Sequence, residues 1–182
     1  MPVMDREQMH NRLVQEICAA TGNVLTTMMA LEYRAGQPSP NSAGPGSIGG
    51  VSAMVGIVGP WAGTGAVSCE EKMACRLAGA MLMSEYTEVN DDVLDAMGEV
   101  ANMIIGNIKT NMEVALGPLA LGLPTVTYGQ NFSTRSTAKH SWTLVPFTCE
   151  GGQVIVQVLL VESSGFSNTR SSSARALVEA GA

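Results

Sequence analysis

Aromatic residues are scarce in this chain: Phe, Tyr and Trp together make up 4% of 182 residues. A core must therefore rest on Val, Ile, Leu, Ala and the 12 Met, which pack adaptably. Basic residues are also few. Ten Lys and Arg stand against 16 Asp and Glu, for a net charge of −6 and no basic cluster. Affinity for a phosphate backbone comes mainly from clustered Lys and Arg, so no nucleic-acid partner is expected. No apolar run approaches the roughly 18 residues needed to span a bilayer. The first twelve residues, MPVMDREQMHNR, lack the apolar centre of a signal peptide. The expectation is a cytoplasmic protein with no membrane partner. Cys18, Cys69, Cys75 and Cys149 form no CxxC pair and read as buried, reduced thiols. His10 and His140 are isolated, and no Cys/His/Asp cluster has ligand spacing, so no metal site is expected.

The composition that remains is 46% hydrophobic and 14% charged. A chain of this length can bury a real core. The reading is one domain over residues 1–162, followed by a mobile C-terminal tail over 163–182 that begins SSGFSNTRSSSA.

Residues 6 to 34 carry Leu13, Ile17, Ala20, Val24, Met28 and Leu31 at threes and fours, which predicts a helix ending at Gly36 and Pro38, with Gly22 a weak point inside it. Residues 36 to 50 form a Gly/Pro/Ser-rich loop. It holds a literal GxGxxG at Gly44, Gly46 and Gly49, but Pro45 sits inside it, no strand precedes it and no helix follows, so it is not a dinucleotide fingerprint. Residues 51–59 and 64–69 predict a hairpin turning at 59–63. Ser68 and Glu71 fit a capping box for a helix over 70–84 whose apolar face is Met73, Leu77, Ala80 and Met81. Asn90 caps a long helix that runs to Leu116 and stops at Gly117–Pro118, with Asp91 and Asp92 in its first turn. A short strand over 124–130, a polar loop over 131–139 and a hairpin of 141–148 with 153–161 complete the chain. This order predicts an α/β fold of the α+β layer type, with long helices packed on a largely antiparallel sheet.

The long helix holds the most informative stretch, DAMGEVANMIIG from Asp95 to Gly106. At roughly 100° per residue, Asp95, Glu99, Asn102 and Gly106 fall within an arc of about 60°. Val93, Met97, Val100, Ile104 and Ile108 fall on the opposite side and should feed the core. Glycine inside a helix costs about 1 kcal/mol relative to alanine, and Gly98 and Gly106 both bear that cost beside the polar pair. Any solvated helix face shows acids and amides, and Glu-x-x-Asn alone is common by chance. A chemical reading stands beside that one. A carboxamide can orient a water as donor and acceptor at once, and a carboxylate can pair with a partner's lysine. No Ser/His/Asp or Cys/His arrangement competes for a nucleophilic role. Phosphoryl transfer to water suits such a pair, because positioning and charge balance supply most of the catalysis.

The segment LDAMGEVANMIIGNIKT, followed by LGLPTVTYGQNF, resembles the CheX branch of the CheC/CheX/FliY chemotaxis phosphatases. That family carries Glu-x-x-Asn with a glycine four residues on, then a leucine–proline strand start and a V-P-F strand. Here these are Leu123–Pro124 and Val145–Pro146–Phe147. SCEEKMACRLAGAMLM is similar to the family's helix after the hairpin, and the likeness spans residues 8 to 162. The resemblance implies a CheC/CheX-like fold and a phosphatase acting on phosphorylated CheY-like response regulators in chemotaxis or other two-component signalling. It implies that Asn102 positions the attacking water and that Glu99 pairs with the regulator's lysine. Asp95, Gly98 and Gly106 would meet the partner, Gly106 by letting the helix approach closely. This chain would bind no cofactor; Mg²⁺ would sit on the regulator. CheC-type members carry two such motifs, but here Glu16 is followed three residues later by Ala19, so a single site is expected. CheX-type chains form homodimers through strand pairing, and a homodimer is expected.

The loop over 36–50 is long for that family, and the tail after Glu162 has no counterpart in it. The alternative reading is therefore a non-catalytic binding or dimerisation module of the same fold.

Overall fold

Alternation along the strands decides which way the sheet faces. Val154, Val156, Val158 and Leu160 recur at every second residue of one strand and are buried, as are Val51, Ala53, Val55 and Ile57 of another. Side chains at that period share one face of a sheet. These rows join a single apolar cluster with the inner sides of three helices.

The structure is a computed structural model and describes residues 5–41, 50–130 and 141–163. Helix α1 (Arg6–Asn23) opens with a capping box from Asp5 and runs into one wide π-helical turn, Val24–Met28. Strands β1 (Tyr33–Ala35) and β2 (Ser39–Asn41) follow. The hairpin β3 (Gly50–Val58) and β4 (Trp61–Cys69) leads to α2 (Glu71–Leu82) and the 26-residue α3 (Asp91–Leu116). Short β5 (Ala120–Leu121) and β6 (Thr125–Gly129) precede the hairpin β7 (Trp142–Cys149) and β8 (Gly152–Glu162).

All eight strands form one sheet in the order β1-β7-β8-β4-β3-β5, with β2 also on β7 and β6 also on β3. Every pairing is antiparallel. The layered α/β architecture is the one anticipated, with long helices on an antiparallel sheet. No described helix is long and apolar enough to cross a membrane.

Several expectations are corrected. The first helix does not reach residue 34. Thr26 Oγ1 donates back to the Gly22 carbonyl at 2.8 Å, the turn widens, and Ala30 takes a left-handed φ of 52°. The chain then reverses into β1, where the Tyr33 ring occupies the space that a Cβ on Gly22 would fill. So Gly22 admits an aromatic side chain. Ser68 caps nothing: it lies in β4, its Oγ 2.8 Å from Ser52 Oγ. The residue before α2 is Glu70, whose side chain makes no cap bond. The expected loop over 36–50 includes β2, with Pro40 on a strand at the sheet's margin, where a missing N–H is tolerated. The first hairpin turns more tightly than expected, on Gly59–Pro60 alone. The GxGxxG glycines, the polar loop over 131–139 and the tail beyond Ser163 lie outside the described residues.

Candidate active site

Helix α3 starts where Asn90 Oδ1 accepts the Val93 N–H at 3.0 Å, satisfying a donor that the first turn leaves without a partner. Its 26 residues give a rod about 39 Å long. Val93, Met97, Val100, Ile104 and Ile108 are fully buried, as are Ala101, Ile105 and Met112. Ile105 lies over Gly65 of β4, so closely that a Cβ on that glycine would collide with it. This seating fixes the rotation of α3, and the opposite arc turns outward.

On that arc Asp95 and Glu99 are exposed, while Asn102 and Gly106 are half-buried. Among the described residues no side-chain hydrogen bond or ion pair engages Asp95, Glu99 or Asn102. A Cβ on Gly106 would meet only Leu121 Cδ1, at 3.8 Å. Gly98 is placed differently. It is buried, and a Cβ there would stand 3.4 Å from Val126 Cγ2 and 3.6 Å from Pro124 Cγ. Its position is one of packing inside the chain and offers a partner no surface.

The segment after α3 folds back along the same helix. Gly117 closes the helix at φ 83°, a conformation glycine tolerates. Glu113 then holds the turn: its Oε1 accepts the Leu119 N–H at 2.7 Å and its Oε2 pairs with Lys109 Nζ at 2.9 Å. These two contacts, the backbone one foremost, hold the Glu113 carboxyl below the usual glutamate range. The Gly122 N–H donates to the Gly56 carbonyl at 2.8 Å. As a result Leu121 lies over Gly106 and Pro124 lies beside Gly98, and the stretch between them passes the turn of α3 that carries Asn102. The sequence marks Leu123–Pro124 only as a strand start; that the stretch borders the site follows from the tertiary folding that brings it to α3.

Other titratable groups lie elsewhere. Burial pushes the Cys69 thiol up to about 12, and Cys18, Cys75 and Cys149 are raised by burial as well. His10 Nδ1 lies 2.9 Å from Thr143 Oγ1, at a cavity of about 520 Å³ between the start of α1 and Trp61. A second cavity, of about 620 Å³, lies against α2 near Cys75 and Tyr86. Neither is lined by Glu99 or Asn102. Among the described residues no three His, Cys, Asp or Glu side chains are grouped to hold a metal ion. The arrangement on α3 is a convex, polar helix face with one apolar border, a shape suited to another protein's concave site.

A family profile described as "Chemotaxis phosphatase CheX" matches residues 51–148, a stretch containing the whole α3 arc. The chemotaxis protein CheX from Desulfovibrio desulfuricans is similar at 29% identity and a TM-score of 0.72, over 82% of this chain and 99% of that one. CheX from Vibrio vulnificus is similar at 25% identity and a TM-score of 0.73, over 82% and 99%. A CheX–CheY–BeF3–Mg²⁺ complex from Borrelia burgdorferi is similar at 25% identity and a TM-score of 0.70, over 82% of this chain and 98% of that one. No curated protein sequence matches the chain. The profile covers more than half of the 182 residues, and the chain belongs to the CheX family of chemotaxis phosphatases.

Proposed function

We propose that residues 1–162 work as one phosphatase domain that hydrolyses the aspartyl phosphate of a CheY-like response regulator. The observation that carries this reading is the state of the α3 arc. Glu99 and Asn102 stand one turn apart on a helix whose other side is locked in the core, and no side-chain hydrogen bond or ion pair among the described residues uses them. Gly106 adds to it. Nothing inside the chain requires glycine there, yet the helix bears its cost of about 1 kcal/mol. A partner's close approach accounts for that cost.

In this reading α3 enters the regulator's active site. The Asn102 carboxamide accepts a hydrogen bond from a water through Oδ1 and holds it in line with the phosphorus. Water adds to phosphorus as the bond to the aspartyl oxygen breaks, giving inorganic phosphate and a free carboxylate. Glu99 pairs with the regulator's lysine and so orients α3. Mg²⁺ stays with the regulator, where it offsets the charge on the transferring group. The Borrelia CheX complex, which holds CheY, BeF3 and Mg²⁺, is consistent with this division of labour. A homodimer formed by strand pairing belongs to the same reading; the outer edge of β6 has no strand partner among the described residues.

The test is the lifetime of the aspartyl phosphate on a CheY-like regulator, with and without this protein, alongside Asn102→Ala. A lifetime shortened by the wild type and untouched by the variant is the expected result. Regulator binding with no change in lifetime would favour the binding-module reading.

A further inference from the structure

We propose that Leu123 is the apolar anchor that docks the phosphorylated regulator beside Asn102, which makes it a positioning residue of this site. The proposal rests on the phosphatase reading above and adds a second kind of contact to it.

Leu123 is 91% exposed, next to Met83, at 93%, the most exposed large apolar side chain of the described chain. A bare leucine forgoes burial, and a single one on a floppy loop would mean little. This one is held from both sides. Behind it, the Gly122 N–H is bonded to the Gly56 carbonyl. Ahead of it, Pro124 restricts the Leu123 backbone to extended conformations, and Thr125–Gly129 then pairs residue by residue with Gly50–Met54. Little ordering entropy remains to be lost when Leu123 is covered.

Its position along α3 follows from its neighbours. Leu121 lies over Gly106 and Pro124 beside Gly98, two points about 12 Å apart along the helix axis. Leu123 therefore stands at the border of the turn that carries Asn102, without engaging it in a hydrogen bond. The acidic and amide groups recognise a charged centre. The leucine gives the same surface an apolar rim, and it fits a regulator with an apolar side chain beside its phosphorylated aspartate. A contact made equally in the ground state and the transition state lowers KM without raising kcat.

Leu123→Ala, Leu123→Met and the control Met83→Ala in the full chain test this, with phosphate release measured over a range of regulator concentrations. Removing most of a buried leucine side chain should raise KM about tenfold. The value of kcat should stay within about twofold. Leu123→Met should keep the wild-type KM, and Met83→Ala, at the C-terminal end of α2, should leave it unchanged. An unchanged KM in Leu123→Ala, or a fall in kcat alone, overturns the anchor while leaving the phosphatase reading intact. If the wild type does not accelerate hydrolysis, equilibrium binding to a regulator carrying BeF3 decides. Weaker binding by Leu123→Ala upholds the anchor while the hydrolytic reading fails. Equal binding, or none by the wild type, overturns the anchor.

Discussion

Asn111 donates a hydrogen bond from Nδ2 to Glu16 Oε2 at 2.8 Å, tying α3 to α1. The other oxygen of Glu16 pairs with Arg12 at 2.8 Å, and Glu16 is only 8% exposed. The acid of the first helix is thus committed to holding two helices together, whereas Glu99 on α3 faces outward. Glu16→Ala should lower the unfolding free energy by about 1.5–3 kcal/mol, the range for hydrogen bonds to charged groups. It should leave regulator dephosphorylation per folded molecule unchanged. Chemical denaturation followed by a phosphatase assay separates the two; lost activity with full stability would place Glu16 at a working site after all.

That division between the two helices shows what a sequence can reveal. The α3 arc was legible because helical period, cap and stop all agree: Asn90, the Val93 to Ile108 stripe and Gly117 each fix one feature of a 26-residue rod. The second hairpin was legible because VIVQVLLV, rich in β-branched residues and bounded by Gly151–Gly152, is the strongest strand signal in the chain. The end of α1 was not, since Val24, Met28 and Leu31 keep a helical period past the point where the chain turns. The chain turns where Thr26 bonds back to Gly22 and where Tyr33 packs on Gly22 and Phe147, and the second of these is a long-range contact. Ser68 misled for the opposite reason. A local capping pattern yielded to nine consecutive pairings of β4 with β8. The border at Leu121–Pro124 was hidden because its meaning depends on where a separate helix lies.

Asn102 sits half-buried on the outward arc, with the buried Ala101 beside it. Asn102→Asp keeps the shape but replaces the amide donor with a negative charge, which repels the phosphoryl group. Mispositioning of the water should cost about a hundredfold in kcat. Stability should change by less than about 1 kcal/mol, because no described side-chain hydrogen bond holds Asn102. Single-turnover dephosphorylation and a thermal melt on the same sample check both. A variant that melts normally and turns over at the wild-type rate would remove Asn102 from the chemistry.

Glu113 makes the border of the site pH-dependent. Its folded-state pKa is lowered by the Leu119 N–H and by Lys109. A lowered pKa stabilises the fold at pH values above the unfolded pKa of about 4.3. That contribution is lost as pH falls through the folded value. Glu113→Gln should therefore be less stable than wild type at neutral pH, and the gap should close as pH falls through the folded value. The Leu119 amide should exchange faster with solvent in the variant at neutral pH. A stability gap that widens in acid would contradict the assigned contacts.

Gly106 separates folding from function most sharply, because the two should move in opposite directions. A Cβ there meets only Leu121 Cδ1, at ordinary contact distance. Gly106→Ala should then raise stability by about 0.5–1 kcal/mol through the lower backbone entropy of the unfolded chain and better helix propensity. If α3 enters the regulator's site along this arc, the same methyl group blocks close approach and activity should fall, with KM rising more than kcat drops. Chemical denaturation and steady-state kinetics on one preparation give both numbers. A variant that gains stability and keeps full activity would show that nothing approaches α3 at Gly106. The docking pose would then have to shift toward Asp95 and the first half of the helix.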